Sequence, residues 1–372
     1  MNLADMLTYA DIHELSRIAR TYELPCNLHS KHELIQSILT TVGRIDRLSE
    51  EVSRMDENEL RFLHSLLFDE RQSFSLEELT GRVLTAVHDP EVKKKVNARD
   101  TIVRFKQRGW LFTGHHRLNH YLFLFPEDLK RRFRETLCRQ DTAKLVQLRE
   151  APPVYRDEGE QFTADFAQFL HYLSQNDLPL NGEGVLYKRS LQQIADRFSI
   201  QEEPVPKAAW RFGYGRKFRE YPARFSLMYD YAYYNGLMEE GAAELRITDA
   251  GRYRVSENRR EDVQQVYRFW LRLYKGPVPN LPALAPWIGL LTKPWTSVTS
   301  LVGVLSPLVK PFYYDSPDAI VKERILPILI HLGILRVGED SNRESYVQIT
   351  RAGAKLVQGI TVSEEDRILL PE

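Results

Sequence analysis

The sequence predicts a mainly α (α+β) chain in which a short helical hairpin precedes three helical domains, each closed by a small β-hairpin. Three stretches carry that prediction: Arg108-Gly109-Trp110-Leu111 to Phe125-Pro126-Glu127, Asn235-Gly236-Leu237-Met238 to Ile247-Thr248-Asp249-Ala250-Gly251, and Leu332-Gly333-Ile334-Leu335 to Ile349-Thr350-Arg351-Ala352-Gly353. In each, a helix ends in Gly and large apolar residues, a polar stretch follows, and an apolar strand runs into a turn. The Gly suits a left-handed C-cap and the polar stretch a hairpin. With 372 residues, 43% hydrophobic, the chain is long enough for about two to four packed domains.

Residues 9 to 40 read as two helices joined by a tight extended link. Asp11 to Tyr22 places Ile12, Leu15, Ile18, Ala19 and Tyr22 on one stripe, and Leu24-Pro25-Cys26-Asn27 breaks it. Ser30-Lys31-His32-Glu33 reads as a capping box, so the second helix starts at Lys31 and runs through Leu34, Ile35, Ile38 and Leu39. The Leu-rich helix, link and Lys31-x-x-Leu34-Ile35 resemble helix-extension-helix modules of the SAP and Rho amino-terminal type, although Asn27-Leu28-His29 replaces their usual link Gly. The resemblance implies a nucleic-acid contact involving Lys31. A hairpin docked on its neighbour explains the same residues, because so small a unit buries little by itself.

The first repeat follows helix by helix. Asp56 opens helix one with Leu60, Leu63, Leu66 and Leu67 inward; Ser75-Leu-Glu-Glu78 caps helix two, and Asn97-Ala-Arg-Asp100 caps helix three. Three capped helices and a hairpin describe a winged helix. On helix three, Ala98, Ile102, Phe105 and Gly109 share one face, which leaves Arg104 and Gln107 outward, flanked by Arg99, Lys106 and Arg108. In a helix-turn-helix this element lies in the major groove. Lys93, Lys94 and Lys95 lead into it, and Arg117 sits in the wing with His115, His116 and His120. Those histidines are in a hairpin with no Cys or carboxylate close enough to complete a metal site, so no metal is expected.

Charge is unevenly distributed along a chain of zero formal net charge. Residues 93–139 hold thirteen Lys/Arg against four Asp/Glu, a net of +9, while residues 46–91 hold twelve acids against five bases, a net of −7. Such blocks can present a basic face, or neutralise each other as solvated faces.

The second repeat takes Phe162 to Leu173 as helix one and Ser190-Leu-Gln-Gln193, read as a capping box, to start helix two through Phe198. Between helices two and three, residues 207–224 carry six bases against one acid, interleaved with rings: Trp210-Arg211-Phe212-Gly213-Tyr214-Gly215-Arg216-Lys217-Phe218-Arg219. Guanidinium groups beside rings suit single strands, so Trp210, Arg211, Arg216, Lys217 and Arg219 are candidate nucleic-acid contacts. Trp210, Phe212 and Phe218 as core anchors remain the alternative; the stacking reading is slightly favoured.

The third repeat is expected to begin with an amphipathic helix from Glu261 to Tyr274, pass through a packed Pro-rich connector (276–309), and reach helix three at Ser316-Pro317. The apolar runs of that connector are too short and too rich in Pro for a membrane span. Expected domains are therefore 1–48, 49–145, 146–260 and 261–372. Two cysteines, Cys26 and Cys138, form no ligand set and point to a reducing compartment, and the amino end lacks a signal-peptide pattern, so a cytoplasmic location is expected.

No phosphate-binding loop, His-Glu-x-x-His, Gly-x-Ser-x-Gly or cysteine pair occurs, which points away from an enzyme and from a bound cofactor, although a site assembled from distant residues would escape such a reading. The order of a small helical module, then winged helices ending in Ile-Thr-x-Ala-Gly-x-Tyr, then Tyr267-Arg-Phe-Trp270 resembles the noncatalytic amino-terminal region of bacterial XPB-type helicase-like proteins, without the ATPase half. It implies a stand-alone DNA-binding module or a partner of a helicase or other DNA-processing protein. The leading expectation is a nucleic-acid-binding protein, for DNA, duplex or single-stranded, with RNA open as a ligand. The rival is an interaction scaffold whose winged helices bind proteins, with zero net charge as its support.

Overall fold

A computed structural model describes residues 1–69, 71–114, 120–205 and 212–358. The chain divides into two compact units, Met1–Lys144 and Leu145–Glu372. Both are mainly helical with small antiparallel sheets, and no described helix is long and apolar enough to cross a membrane.

The first unit starts with α1 (Leu3–Tyr9), α2 (Ile12–Thr21), α3 (Lys31–Val42) and α4 (Ile45–Arg54). Asn2, Asp11 and Ser30 cap the first three through their side chains, each satisfying an N–H that the helix leaves without a partner. The expected box at Ser30 is half made: Ser30 Oγ accepts from the Glu33 N–H, but the Glu33 carboxylate reaches the Asn27 N–H instead. Helices α1 and α4 were not expected from the sequence.

Next come α5 (Glu57–Leu67), β1 (Ser73–Phe74), α6 (Leu76–Ala86), α7 (Pro90–Lys95), α8 (Ala98–Gln107), β2 (Phe112–Thr113), β3 (Phe123–Leu124) and α9 (Glu127–Thr142). Asp56, Ser75 and Asn97 cap α5, α6 and α8, and the Ser75–Glu78 box is reciprocal. The strands order as β1-β3-β2. Phe62 meets Phe105 at 4.8 Å between ring centroids, Phe105 meets Trp110 at 5.2 Å, and Trp110 meets Phe133 at 4.9 Å. This aromatic row joins α5, α8, the turn after α8 and α9 in one core. The face of α8 assigned to the core, Ala98, Ile102, Phe105 and then Gly109, is buried.

The second unit runs β4 (Gln147–Leu148), β5 (Val154–Arg156), α10 (Gln161–Gln175), β6 (Leu178–Pro179), α11 (Lys188–Ala195), α12 (Ala223–Tyr234), β7 (Met238–Glu240), β8 (Glu244–Ile247) and α13 (Asp249–Ser256). It continues through α14 (Val263–Leu273), α15 (Leu281–Leu291), β9 (Trp295–Ser297), α16 (Val298–Leu305), α17 (Pro317–Ala319), a π-helical turn (Ile320–Ile325), α18 (Leu326–His331), β10 (Leu335–Glu339), β11 (Ser345–Ile349) and α19 (Arg351–Gln358). Pro327 follows the π turn: its ring crowds the carbonyl four residues back, which widens that turn.

One pairing order recurs. The strand before helix two pairs with the last strand, which pairs with the middle one, giving β1-β3-β2, β6-β8-β7 and, inside a five-stranded sheet ordered β4-β9-β11-β10-β5, β9-β11-β10. The third of these requires a correction. The stretch expected to be a Pro-rich connector is α15, β9 and α16, in which Leu281, Leu284, Trp287 and Ile288 are buried. Pro282 occupies the first turn, where a missing N–H costs nothing, and burial all round outweighs the single bond lost at Pro286. Strands β4 and β5, whose residues were assigned to the second domain without a strand being expected, form the two edges of the third repeat's sheet. Helix α11 begins at Lys188 rather than being capped by Ser190, which is buried inside its first turn.

The glycine ends behave alike. Gly109, Gly236 and Gly333 have φ of +69°, +65° and +66°. In each case the next residue's N–H bonds five residues back: Trp110 to Phe105, Leu237 to Ala232 and Ile334 to Leu329. That is a Schellman end, which a side chain at the Gly would strain. Ile-Thr-x-Ala-Gly, expected to run into a turn, instead starts a helix: Thr248 caps α13, and the Thr350 hydroxyl accepts from the Gly353 N–H as α19 begins.

Within this unit a buried charged cluster joins the second and third repeats. Arg224 lies 2.8 Å from Asp165 and 3.6 Å from Glu158, and His331 Nδ1 lies 3.0 Å from Glu158. Burial raises the Glu158 carboxyl, but His331, Arg224 and Arg156 outweigh it and hold the group below its ordinary range.

Candidate nucleic-acid interface

Helix α8 and the short α7 before it carry most of the candidate contacts. Because Ala98, Ile102 and Phe105 turn inward, the opposite side of α8 presents Arg99, Val103 and Gln107, spaced four apart and all exposed. Arg104 and its neighbours fall between these faces, and the fold brings acids to them. Arg104 Nε donates to Glu59 at 2.7 Å and its Nη2 to the Thr101 hydroxyl at 3.1 Å. Arg108 lies 3.4 Å from both Glu51 and Glu59 and over the Trp110 ring at 5.0 Å. Lys106 lies 3.6 Å from Glu14.

Arg104 and Gln107 are exposed as expected, beside Arg99 and Val103, but Arg104, Lys106 and Arg108 pair with carboxylates of α5, α2 and α4. The acidic and basic blocks therefore neutralise each other in part across packed helices. Just before α8 the situation differs. Asp89 caps α7, and the side chains of Lys93, Lys95 and Arg99 have no carboxylate partner among the described residues, while Lys94 pairs with exposed Glu91 at 2.7 Å.

The other candidates are dispersed. Lys31 donates from Nζ to the Thr8 carbonyl at 2.8 Å, satisfying a carbonyl at the end of α1 that the helix leaves unpaired. Arg117 lies outside the described residues, as do His115 and His116. Trp210 and Arg211 are also outside them. No group of three or more metal-ligating side chains occurs among the described residues.

In the insertion of the second repeat the core-anchor alternative holds for Phe218, whereas Phe212 is only half-buried. Phe218, Tyr214 and Tyr221 are buried, and the Arg324 guanidinium lies 5.1 Å from the Phe218 ring centroid. A Cβ on Gly213 would overlap the Phe218 ring, so this glycine lets the ring lie against the backbone. Arg216 bonds Glu240 at 2.8 Å and covers the Tyr233 ring at 3.8 Å. Lys217 reaches the Glu183 carbonyl at 3.4 Å, and Arg219 is exposed. Asp230 anchors the segment by accepting the Arg216 N–H at 3.2 Å; burial above all, and Glu240 nearby, push its carboxyl up to about 7.

Sequence reading missed Glu59, Glu51 and Glu14 as partners, since nothing in their local pattern names a cation 45 or more positions away. It also passed over Tyr313 and Tyr314, which follow the Pro-rich stretch, although two adjacent rings beside the Ser316 cap were visible. No protein-family model, curated protein or solved structure matches this chain.

Proposed function

We propose that the chain is a non-catalytic nucleic-acid-binding protein of tandem winged-helix units, which engages DNA through the α7–α8 edge of its first unit. The observation that carries this reading is the cluster Lys93, Lys95 and Arg99: three cations leading into the exposed face of α8, with no carboxylate partner among the described residues. Cations left without acids attract phosphates and release counterions on binding. The shared strand order of the three repeats and the capped helix before each hairpin support the winged-helix assignment. The link between α2 and α3 supports the helix-extension-helix assignment.

A titration of the full chain against duplex DNA, single-stranded DNA and RNA at two salt concentrations tests the reading. Binding should weaken steeply with salt, and replacing Lys93, Lys95 and Arg99 by Ala should lower the slope of log affinity against log salt by up to about three for duplex. Absence of binding at low salt, or an unchanged slope in the triple variant, refutes it. A second reading, a protein-binding scaffold, draws on Val92 and Val103, which stand 39% and 47% exposed on the same edge, and on the internal pairing of Arg104. A partner helicase or other DNA-processing protein would fit either reading.

A further inference from the structure

The most exposed large rings among the described residues sit together on one turn of the second unit. Phe312 and Asp315 exchange backbone hydrogen bonds of 3.1 and 3.0 Å, closing a loop with Tyr313 and Tyr314 at its tip. Their exposures are 82% and 74%. Tyr313 has φ +50°, where turns ordinarily place Gly or Asn. A bulky ring kept in that conformation at a solvent-facing tip contributes nothing to the core beneath it, and strain of this kind gathers at functional positions.

The base of the turn is fixed. Asp315 accepts from the Tyr214 hydroxyl at 3.0 Å and from Arg324 through Nε at 2.9 Å and Nη2 at 3.1 Å, so its charge is neutralised inside the fold. Phe312 meets Tyr313 edge-on at 4.7 Å and Tyr214 at 5.7 Å. The Phe212 ring, from the insertion of the second repeat, lies 5.6 Å from Tyr314 and 6.1 Å from Tyr313. Two exposed rings thus stand beside the half-buried Phe312 and Phe212 and the buried Tyr214, a base that draws on both repeats.

The chemistry of the tip is selective. The turn reads Lys310-Pro311-Phe312-Tyr313-Tyr314-Asp315 and exposes the Pro311, Tyr313 and Tyr314 rings. Lys310 has no carboxylate partner among the described residues. Flat rings beside a cation match the two halves of a nucleotide, base and phosphate. We propose that the Tyr313–Tyr314 turn stacks unpaired bases of a single-stranded nucleic acid, with Lys310 meeting the adjoining phosphate. This inference rests on the nucleic-acid-binding reading above and assigns the unpaired strand to the second unit.

The test uses the full chain and fluorescence anisotropy with a labelled oligodeoxythymidine and a duplex of equal length. Tyr313→Ala with Tyr314→Ala should weaken single-strand binding about tenfold or more, with duplex binding unchanged. Tyr313→Phe with Tyr314→Phe should retain affinity within about twofold, because the ring and not the hydroxyl stacks. Should the Ala pair fold poorly, Tyr313→Gly with Tyr314→Ser, which relieves the positive φ, replaces it. Crosslinking of a bromodeoxyuridine-containing strand should mark the peptide that includes Tyr313 and Tyr314. Wild-type single-strand affinity in the Ala pair, equal loss for duplex and single strand, or crosslinks confined to other peptides would overturn the proposal while leaving the function reading in place. A wild-type chain that binds duplex but no single strand would do the same. A wild-type chain that binds neither would overturn both.

Discussion

The Thr248 hydroxyl donates a 2.6 Å hydrogen bond to the carbonyl of Gly236 while accepting a 3.1 Å bond from the Gly251 N–H. Thr350 repeats this in the third repeat, donating to Gly333 at 2.8 Å and accepting from Gly353 at 2.9 Å. One hydroxyl thus ties the end of helix three to the start of the helix after the hairpin. Gly251 and Gly353 complete the lock, since a Cβ on either would overlap the backbone of Leu237 or Ile334. Replacing Thr248 or Thr350 by Val, of the same shape without the hydroxyl, should cost about 1 to 3 kcal/mol in urea unfolding. Ser should recover most of it. A Val variant as stable as wild type would show that the lock contributes nothing.

The Schellman glycines should differ in tolerance. Gly236 has only its positive φ against a side chain, with nothing within 4 Å of the place a Cβ would take, whereas a Cβ on Gly333 would also overlap the Gly159 backbone. Gly236→Ala should therefore cost about 1 to 2 kcal/mol. Gly333→Ala should cost clearly more, measured as the difference in urea midpoint between the two variants.

Internal and free cations should separate by stability. Arg108 pairs with Glu51 and Glu59 and covers Trp110, and Glu59 is buried, so Arg108→Ala leaves carboxylates short of a partner. A loss of about 3 kcal/mol is expected. Arg104→Ala should lower the melting temperature less, because Arg104 is nearer solvent and Glu59 keeps Arg108. Lys95→Ala with Arg99→Ala should leave it unchanged, so that any binding defect there reads on the ligand.

Two buried carboxyls of the second unit give pH dependences of opposite sign. Asp230 is raised from 3.8 to about 7, so its contribution is complete below 3.8 and is lost as pH rises through about 7. Glu158 is lowered, so its contribution is present above the ordinary value of 4.5 and is lost as pH falls through its folded value. Melting temperatures across the range from acid to mildly alkaline pH should show Asp230→Asn flattening the neutral limb and Glu158→Gln the acid limb.

The sequence by itself determined what local geometry controls. Side-chain caps at Asp56, Ser75 and Asn97, the left-handed glycines at 109, 236 and 333, and the inward face of α8 each depend on residues within a turn or two, and all are read directly from spacing. The tertiary structure decided what lies against the remaining faces. Helical periodicity tells which residues of α8 turn inward, yet says nothing of which neighbouring helix brings Glu59 to Arg104 or Glu14 to Lys106. Long-range pairing placed β4 and β5 on a sheet whose partner strands lie 147 to 185 residues later, and burial made a helix of a stretch in which Pro282 and Pro286 argued for a connector. The same rule separated Phe218, held under Arg324, from Tyr313 and Tyr314, left at the tip of their turn: ring identity is local, but burial is a property of what the rest of the chain packs on top.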